Sequence, residues 1–102
     1  MKNTVSKSAI VNIQTVMRRV TITNTRGLHA RAAAKFANIA EKFDADIEVT
    51  RNAQTVSARS IMGLMMLAAT PGCFIDLSAN GPDAEAALDA LSELVNGKFQ
   101  ED

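Results

Sequence analysis

The sequence predicts an α+β domain with a four-stranded antiparallel sheet and three helices on one face, in the order β-α-β-β-α-β-α. Two observations lead to this class. Four segments alternate apolar and polar side chains with a period of two, so one face of the sheet should meet the helices and the other should meet water. Three further segments repeat apolar side chains at helical spacing between or after those strands.

Length, charge and cysteine content limit the classes of function. A chain of 102 residues is long enough for one domain with its own core, and its 11 basic and 11 acidic residues balance, so we expect no nucleic-acid partner. One cysteine cannot form an internal disulfide, and no apolar run has the length of a membrane span, so we expect a cytoplasmic protein without membrane insertion. One His and one Cys cannot supply a zinc ligand set, and we expect neither metal nor cofactor.

The beginning of the chain differs in pattern from the rest. Residues 1–16 mix Lys, Ser, Asn and Thr with short apolar pieces and show no sustained period, so we predict a flexible N-terminal extension followed by a domain at 17–102. The first strand is predicted at 18–23, where apolar side chains occupy alternate positions.

The first helix and a hairpin are predicted next. Turn residues at 24–27 precede an Ala-rich run, so a helix should begin near His29 and bury one stripe, formed by Ala33, Phe36, Ala37, Ala40 and Phe43. Alternation over 45–50, followed by the polar turn 51–54 and the short run 55–57, predicts a β-hairpin.

Helix signals mark the second half. Ser60 should cap a short helix over 61–67, which should stop before a Pro-Gly pair. A fourth strand is predicted over 73–79, with its first residue, the cysteine, as a small buried hydrophobe. Asp83 should cap the last helix, whose apolar residues repeat at three, four and seven up to an Asn96-Gly97 stop.

The segment Gly27-Leu-His-Ala-Arg31 combines a nucleophile, a cation and a helix start. With His29 at the N-cap, unpaired N–H groups of the first turn and about half a positive charge from the helix dipole make an anion site. The same positive end disfavours imidazolium, which leaves a ring nitrogen for attack on phosphorus. Arg31 could then bind the transferred phosphoryl group.

These residues also permit simpler interpretations. A lone His that begins a helix is, on composition alone, more often a cap or a surface residue, and a lone first-turn Arg is more often a solvated charge. A small hydrolytic enzyme could use His29 as a general base, although local sequence places no Ser or Cys nucleophile and no acidic partner beside it.

Two motifs resemble a known family. Gly27-Leu-His-Ala-Arg-Ala-Ala-Ala34, followed by Ser60-Ile-Met-Gly-Leu-Met-Met-Leu67, is similar to the HPr family, the histidine-containing phosphocarriers of the bacterial phosphoenolpyruvate-dependent phosphotransferase system. The resemblance runs from about Met17 to the C-terminus and implies an open-faced β-sandwich, which agrees with the element order above. It implies a carrier rather than an enzyme. His29 would take a phosphoryl group on Nδ1 from Enzyme I and pass it to an enzyme IIA component, with Arg31 contacting the phosphate.

The second motif implies regulation and docking. In several relatives the residue that matches Ser60 is phosphorylated by a dedicated HPr kinase/phosphorylase. The family's Enzyme I docking surface is an apolar patch on this helix, so the resemblance implies that Ile61, Met62 and Met65 contact Enzyme I and that Met62 and Met65 are exposed. We expect a monomer.

Several points depart from the family or stay open. Most relatives lack the extension, and Ala32 replaces a common proline. The Ala-rich helix start and the ending 94–99 look similar to the nitrogen-regulatory branch of the system, which we favour, whereas 60–63 also suits sugar-uptake HPr. A third alternative is a non-carrier interaction module that is controlled at Ser60, with His29 silent.

Overall fold

The computed structural model describes residues 15–101, and the predicted order of elements is confirmed in it. A short helical turn, Lys98–Gln100, follows the last helix. The strands and helices are β1 (Thr15–Thr21), α1 (Ala30–Ala40), β2 (Asp46–Arg51), β3 (Gln54–Ser57), α2 (Ile61–Met66), β4 (Phe74–Asn80) and α3 (Ala84–Asn96).

The four strands form one antiparallel sheet in the order β1-β4-β2-β3. The hairpin β2–β3 is the only pair of neighbours that are consecutive strands in the described chain, and its tight turn includes Asn52 with a positive φ of 57°. β4 returns between β1 and β2, where Ile75 lies opposite Val20 and Leu77 lies opposite Val49. This topology places the last strand at the centre of the sheet.

Alternation of side chains separates the two faces of the sheet. The three helices cover the face on which the apolar strand residues lie, and Phe36 of α1 and Phe99 after α3 are almost completely buried there. The other face meets solvent, where Arg19 pairs with Asp76 at 2.8 Å and its guanidinium lies 3.9 Å from the centre of the Phe74 ring. The predicted open-faced arrangement of sheet and helices is therefore confirmed.

The first strand begins earlier than the alternation predicted. β1 starts at Thr15 and ends at Thr21, and its first residue pairs with Asn80. Residues 1–14 lie outside the described part of the chain, so the predicted extension at 1–16 is described only at its last two residues, both of which belong to β1. The division of the chain at residue 17 stays a prediction.

Two local predictions were wrong in detail. Asp83 occupies the N-cap position of α3, but its side chain does not cap the helix; its carboxylate accepts a 2.8 Å hydrogen bond from the Asp44 backbone N–H. Cys73 precedes β4 instead of opening it and is only partly buried, with Arg51 and Thr70 near its sulfur. In both cases the side chain contacts a residue that is distant in sequence: Asp44 for Asp83, and Arg51 for Cys73.

Candidate functional site

A rigid turn brings the chain from β1 to His29. The side chain of Asn24 is buried, and its Nδ2 donates a 2.8 Å hydrogen bond to the backbone oxygen of Gly27. The N–H of Gly27 donates back to the Asn24 oxygen at 3.2 Å. Gly27 has φ +64°, a left-handed conformation that costs glycine little. These bonds hold the backbone two residues before His29 in one conformation.

The next residue ties this turn to a second loop. Leu28 is buried, and its backbone N–H donates a 2.9 Å hydrogen bond to the oxygen of Ala69, which lies after α2. The segment that contains His29 is therefore joined directly to the loop that follows α2. The start of α1 lies beside the C-terminal end of α2 because of this bond.

His29 is the N-cap of α1, as predicted. Its backbone is extended and its oxygen accepts the first helical hydrogen bond, from the Ala33 N–H at 2.8 Å. Its side chain makes no capping hydrogen bond, so the N–H groups of residues 30–32 have no partner from this cap. The imidazole is mostly covered, with 18% of its side chain exposed. A half-buried ring thus lies at the positive end of a helix dipole.

An open cavity of about 370 Å³ lies beside this ring. Arg31 and Lys35 line it from α1, Arg26 lines it from the preceding turn, and the segment Phe99-Gln-Glu101 closes another side. Among residues 15–101 the guanidinium of Arg31 has no hydrogen-bond or ion-pair partner and is exposed. Three cationic side chains and a helix N-terminus around one cavity, against the single carboxylate of Glu101, suit a bound anion.

The structure also brings an acidic side chain to His29. Oε2 of Glu101 lies 3.6 Å from Nε2 of His29, and both side chains are largely covered. Sequence reasoning missed this residue because no local pattern relates the end of the chain to the first helix. The sequence offered one indirect signal. Phe99 is apolar and lies two residues before Glu101, so its burial in the core would bring Glu101 back to the domain.

Ser60 caps α2 as predicted. Its hydroxyl accepts a 2.9 Å hydrogen bond from the Gly63 backbone N–H, and the residue is half-buried. The hydroxyl lies close to Gly63, where an added Cβ would be 2.9 Å from the Ser60 oxygen. Ser60 thus has a definite structural role in the described chain.

Apolar side chains of α2 are exposed to an unusual extent. Met62 is 72% exposed and Met65 is 40% exposed, and Ile61 is likewise 40% exposed. Met66 extends the group at 65%. Leu64 is the buried residue of the same helix, so one short helix has a narrow core-facing side and a wide apolar outer side.

Within residues 15–101 no group of three or more His, Cys, Asp or Glu side chains is placed to hold a metal ion. No helix in the same range has the length and apolar character needed to cross a membrane.

The sequence around this site matches a known family. Residues 16–97 fit the family described as the PTS HPr component phosphorylation site. The chain belongs to the HPr family. Its relatives include phosphocarrier protein NPr of Shewanella violacea, which is 50% identical over 84 residues that cover 82% of this chain and 92% of the relative.

Other HPr-family members are similarly close. Phosphocarrier protein HPr of Neisseria meningitidis is 48% identical over 82 residues, which cover 80% of this chain and 92% of that protein. The crystal structure of HPr-C-His from Thermoanaerobacter tengcongensis superimposes with a TM-score of 0.81 at 42% identity and covers 85% of this chain and 98% of that one. This chain is therefore an HPr-family phosphocarrier of the phosphotransferase system with the fold of the family.

Proposed function

We propose that this HPr-family chain accepts a phosphoryl group from phosphorylated Enzyme I on His29 and passes it to an enzyme IIA component. The observation that supports this assignment is the position of His29, the single histidine, at the N-terminus of α1 beside a cavity lined by Arg26, Arg31 and Lys35. A nucleophile and an anion site lie together there, and phosphoryl transfer depends mainly on positioning and charge stabilisation.

The two ring nitrogens have different surroundings, which favours Nδ1 as the phosphorylated atom. Nε2 lies 3.6 Å from the Glu101 carboxylate, and an anionic phosphoryl group is repelled from that side. The Nδ1 lone pair attacks phosphorus, a P–N bond forms, and the bond between phosphorus and the donor breaks with its electron pair left on the donor. The proton stays on Nε2 throughout.

Charge on the transferred group needs compensation from the carrier. The guanidinium of Arg31 lines the same cavity as His29, and the N–H groups at the start of α1 carry part of the helix dipole. Arg31 is planar and can bind two phosphoryl oxygens at once, which suits it better than a lysine to this task. We assign Arg31 the role of stabilising phosphohistidine.

The proposal is tested by incubation with Enzyme I, Mg²⁺ and phosphoenolpyruvate, followed by intact mass. We expect a gain of one phosphoryl group that is lost in acid and absent in His29→Ala. Arg31→Ala should be labelled more slowly, and Arg59→Ala, which removes a cation outside the cavity, is the matched control. No gain under conditions that label a control HPr would contradict the carrier function and favour an interaction module controlled at Ser60.

The exposed apolar side of α2 is assigned to docking. The Leu28–Ala69 hydrogen bond places the end of α2 beside the start of α1, so a partner that covers Met62 and Met65 also approaches the His29 cavity. An exposed patch of methionine and isoleucine adapts its shape to different partner surfaces, which suits a carrier that must bind a donor and an acceptor in turn. We assign Ile61, Met62 and Met65 to Enzyme I contact.

Ser60 is assigned to regulation by an HPr kinase/phosphorylase. A phosphoryl group on its hydroxyl would lie at the start of α2, next to Ile61, and would carry a charge of about −1.5 to −2 at pH 7. Such a charge beside an apolar docking patch opposes desolvation when a partner binds. Phosphorylation of Ser60 should therefore slow transfer without unfolding the helix.

The two branches of the phosphotransferase system differ in the enzyme IIA protein that accepts the phosphoryl group. We favour the nitrogen-regulatory branch over sugar uptake, because of the Ala-rich start of α1 and the ending at 94–99. Identities of 50% to an NPr and 48% to an HPr do not separate the two branches. Comparing transfer rates to a nitrogen-branch and a sugar-branch enzyme IIA tests the assignment, and faster transfer to the sugar-branch protein would contradict it.

A further inference from the structure

The segment after α3 is held against His29 in a strained conformation. Lys98, Phe99 and Gln100 all have left-handed backbones, with φ of 59°, 56° and 58°, although none is a glycine. Such conformations are unfavourable for ordinary residues and persist only where the surroundings impose them. The backbone that leads from α3 to Glu101 is therefore strained.

Three contacts impose this path. The Phe99 side chain is 2% exposed and belongs to the core, and Lys35 of α1 donates from Nζ to the Phe99 backbone oxygen at 2.9 Å. The N–H of Glu101 donates to the Lys98 oxygen at 2.9 Å. The turn is thus anchored on the same helix that begins at His29, so the position of Glu101 relative to His29 follows from packing.

One oxygen of the Glu101 carboxylate, Oε2, is buried beside His29. It makes no hydrogen bond within residues 15–101, and the basic group beside it there is the His29 imidazole, at 3.6 Å from Nε2. This separation is slightly longer than a hydrogen bond. Contacts of this kind are often long in the resting protein and shorten in the reacting complex.

We propose that Glu101 is a positioning residue for phosphoryl transfer, which accepts the Nε2–H of His29 and holds the ring in the tautomer whose Nδ1 is free to attack. The inference rests on the proposed carrier function. As Nδ1 bonds to phosphorus, positive charge develops on the ring, and the carboxylate stabilises it, as the aspartate does in a Ser-His-Asp triad. In transfer to the acceptor, the P–N bond breaks with its electron pair returned to Nδ1, and the ring leaves as neutral imidazole with its proton still on Nε2, held by Glu101.

The tautomer gives a readout that needs no transfer reaction. In ¹⁵N-labelled full-length protein with the imidazole neutral, long-range ¹H–¹⁵N spectra distinguish a protonated ring nitrogen from an unprotonated one. We expect Nε2 protonated and Nδ1 unprotonated in the wild type, and a mixture of tautomers in Glu101→Leu, whose side chain cannot accept a hydrogen bond. Glu41→Leu, at the opposite end of α1 and roughly 18 Å away along the helix, should leave the spectrum unchanged.

Transfer kinetics complete the test. With Enzyme I as donor, Glu101→Leu should lower the maximal phosphorylation rate roughly tenfold and leave the KM for the carrier unchanged, because docking residues are intact. Unchanged ring shifts in Glu101→Leu would overturn the positioning role whatever the kinetics show, and altered shifts with an unchanged rate would overturn its contribution to transfer. If the ring shifts of the wild-type protein are as expected but the protein accepts no phosphoryl group, the carrier function is contradicted while the Glu101–His29 contact is supported.

Discussion

The buried side chain of Asn24 donates a hydrogen bond of 2.8 Å from Nδ2 to the backbone oxygen of Gly27, and this bond fixes the approach of the chain to His29. Asn24 is far enough from the cavity to make no contact with a phosphoryl group, since it is absent from the cavity lining. Its role is to hold the turn that presents the imidazole.

We expect Asn24→Ala to lower both stability and transfer. The Gly27 oxygen would lose its partner in a buried environment, which costs about 1–3 kcal/mol of unfolding free energy. Urea unfolding measures this loss, and the phosphorylation rate should fall in the fraction that stays folded, because the His29 position is less defined. Asn38→Ala, on the exposed side of α1, is the control and should leave both quantities near the wild-type values.

Alanine substitutions at Gly27 and Gly72 distinguish the cost of backbone strain from the cost of steric overlap. Both have positive φ, +64° and +93°, but a Cβ at Gly27 would overlap the Ala69 oxygen, whereas a Cβ at Gly72 meets nothing within 4 Å. Gly27→Ala should therefore cost about 2–4 kcal/mol and Gly72→Ala about 1–2 kcal/mol in urea unfolding. Equal losses would show that overlap with the Ala69 oxygen contributes nothing.

Capping and charge at Ser60 can be separated by two substitutions. Ser60→Ala removes the acceptor for the Gly63 N–H and should lower the unfolding free energy by about 1 kcal/mol. Ser60→Asp keeps an acceptor at the helix start and should be close to wild type in stability, yet it should slow transfer from Enzyme I because it adds charge beside the docking patch. Transfer to Ser60→Asp as fast as to Ser60→Ala would contradict the regulatory role.

The docking patch is tested by a charge at its centre. Met65→Glu should raise the KM for the carrier in the Enzyme I reaction roughly tenfold, since a charge would have to be desolvated in the complex. The matched control is Met17→Glu, which adds the same charge at a methionine that is 68% exposed on the opposite face of the sheet. An equal effect of both substitutions would point to net charge instead of local contact.

The thiol of Cys73 should react at lower pH than an ordinary cysteine. Hydrogen bonds from the Thr70 side chain and backbone, and then from Arg51, lower the pKa of Cys73 to about 7. Since only the thiolate is alkylated, the iodoacetamide rate should rise with pH and reach half of its maximum near pH 7. Thr70→Val, which removes the 3.4 Å hydroxyl contact, should move this midpoint upward. A midpoint already near 9 in the wild type would contradict the assignment.

Prediction from sequence was most successful where structure repeats locally. Within residues 15–101, alternation and helical spacing identified the four strands and three α-helices in order, though not the short turn Lys98–Gln100. The helix starts at His29 and Ser60 were found because capping acts within one turn. The start of β1 was missed because Thr15 and Val16 lack a clear alternation and are selected by pairing with Asn80 and Ala79. The side chain of Asp83 was misassigned because the Asp44 N–H competes for it across space.

The sequence by itself determined the element order, the His29–Arg31 pair and the family, because each depends on residue types within a few positions of one another. Only the tertiary structure decided that β4 lies at the centre of the sheet and that Glu101 faces the His29 ring. The physical reason is that Glu101 reaches His29 through three residues after α3 with left-handed backbones. None of the three is a glycine, so the sequence does not indicate this conformation. Burial of Phe99 in the shared core stabilises that path.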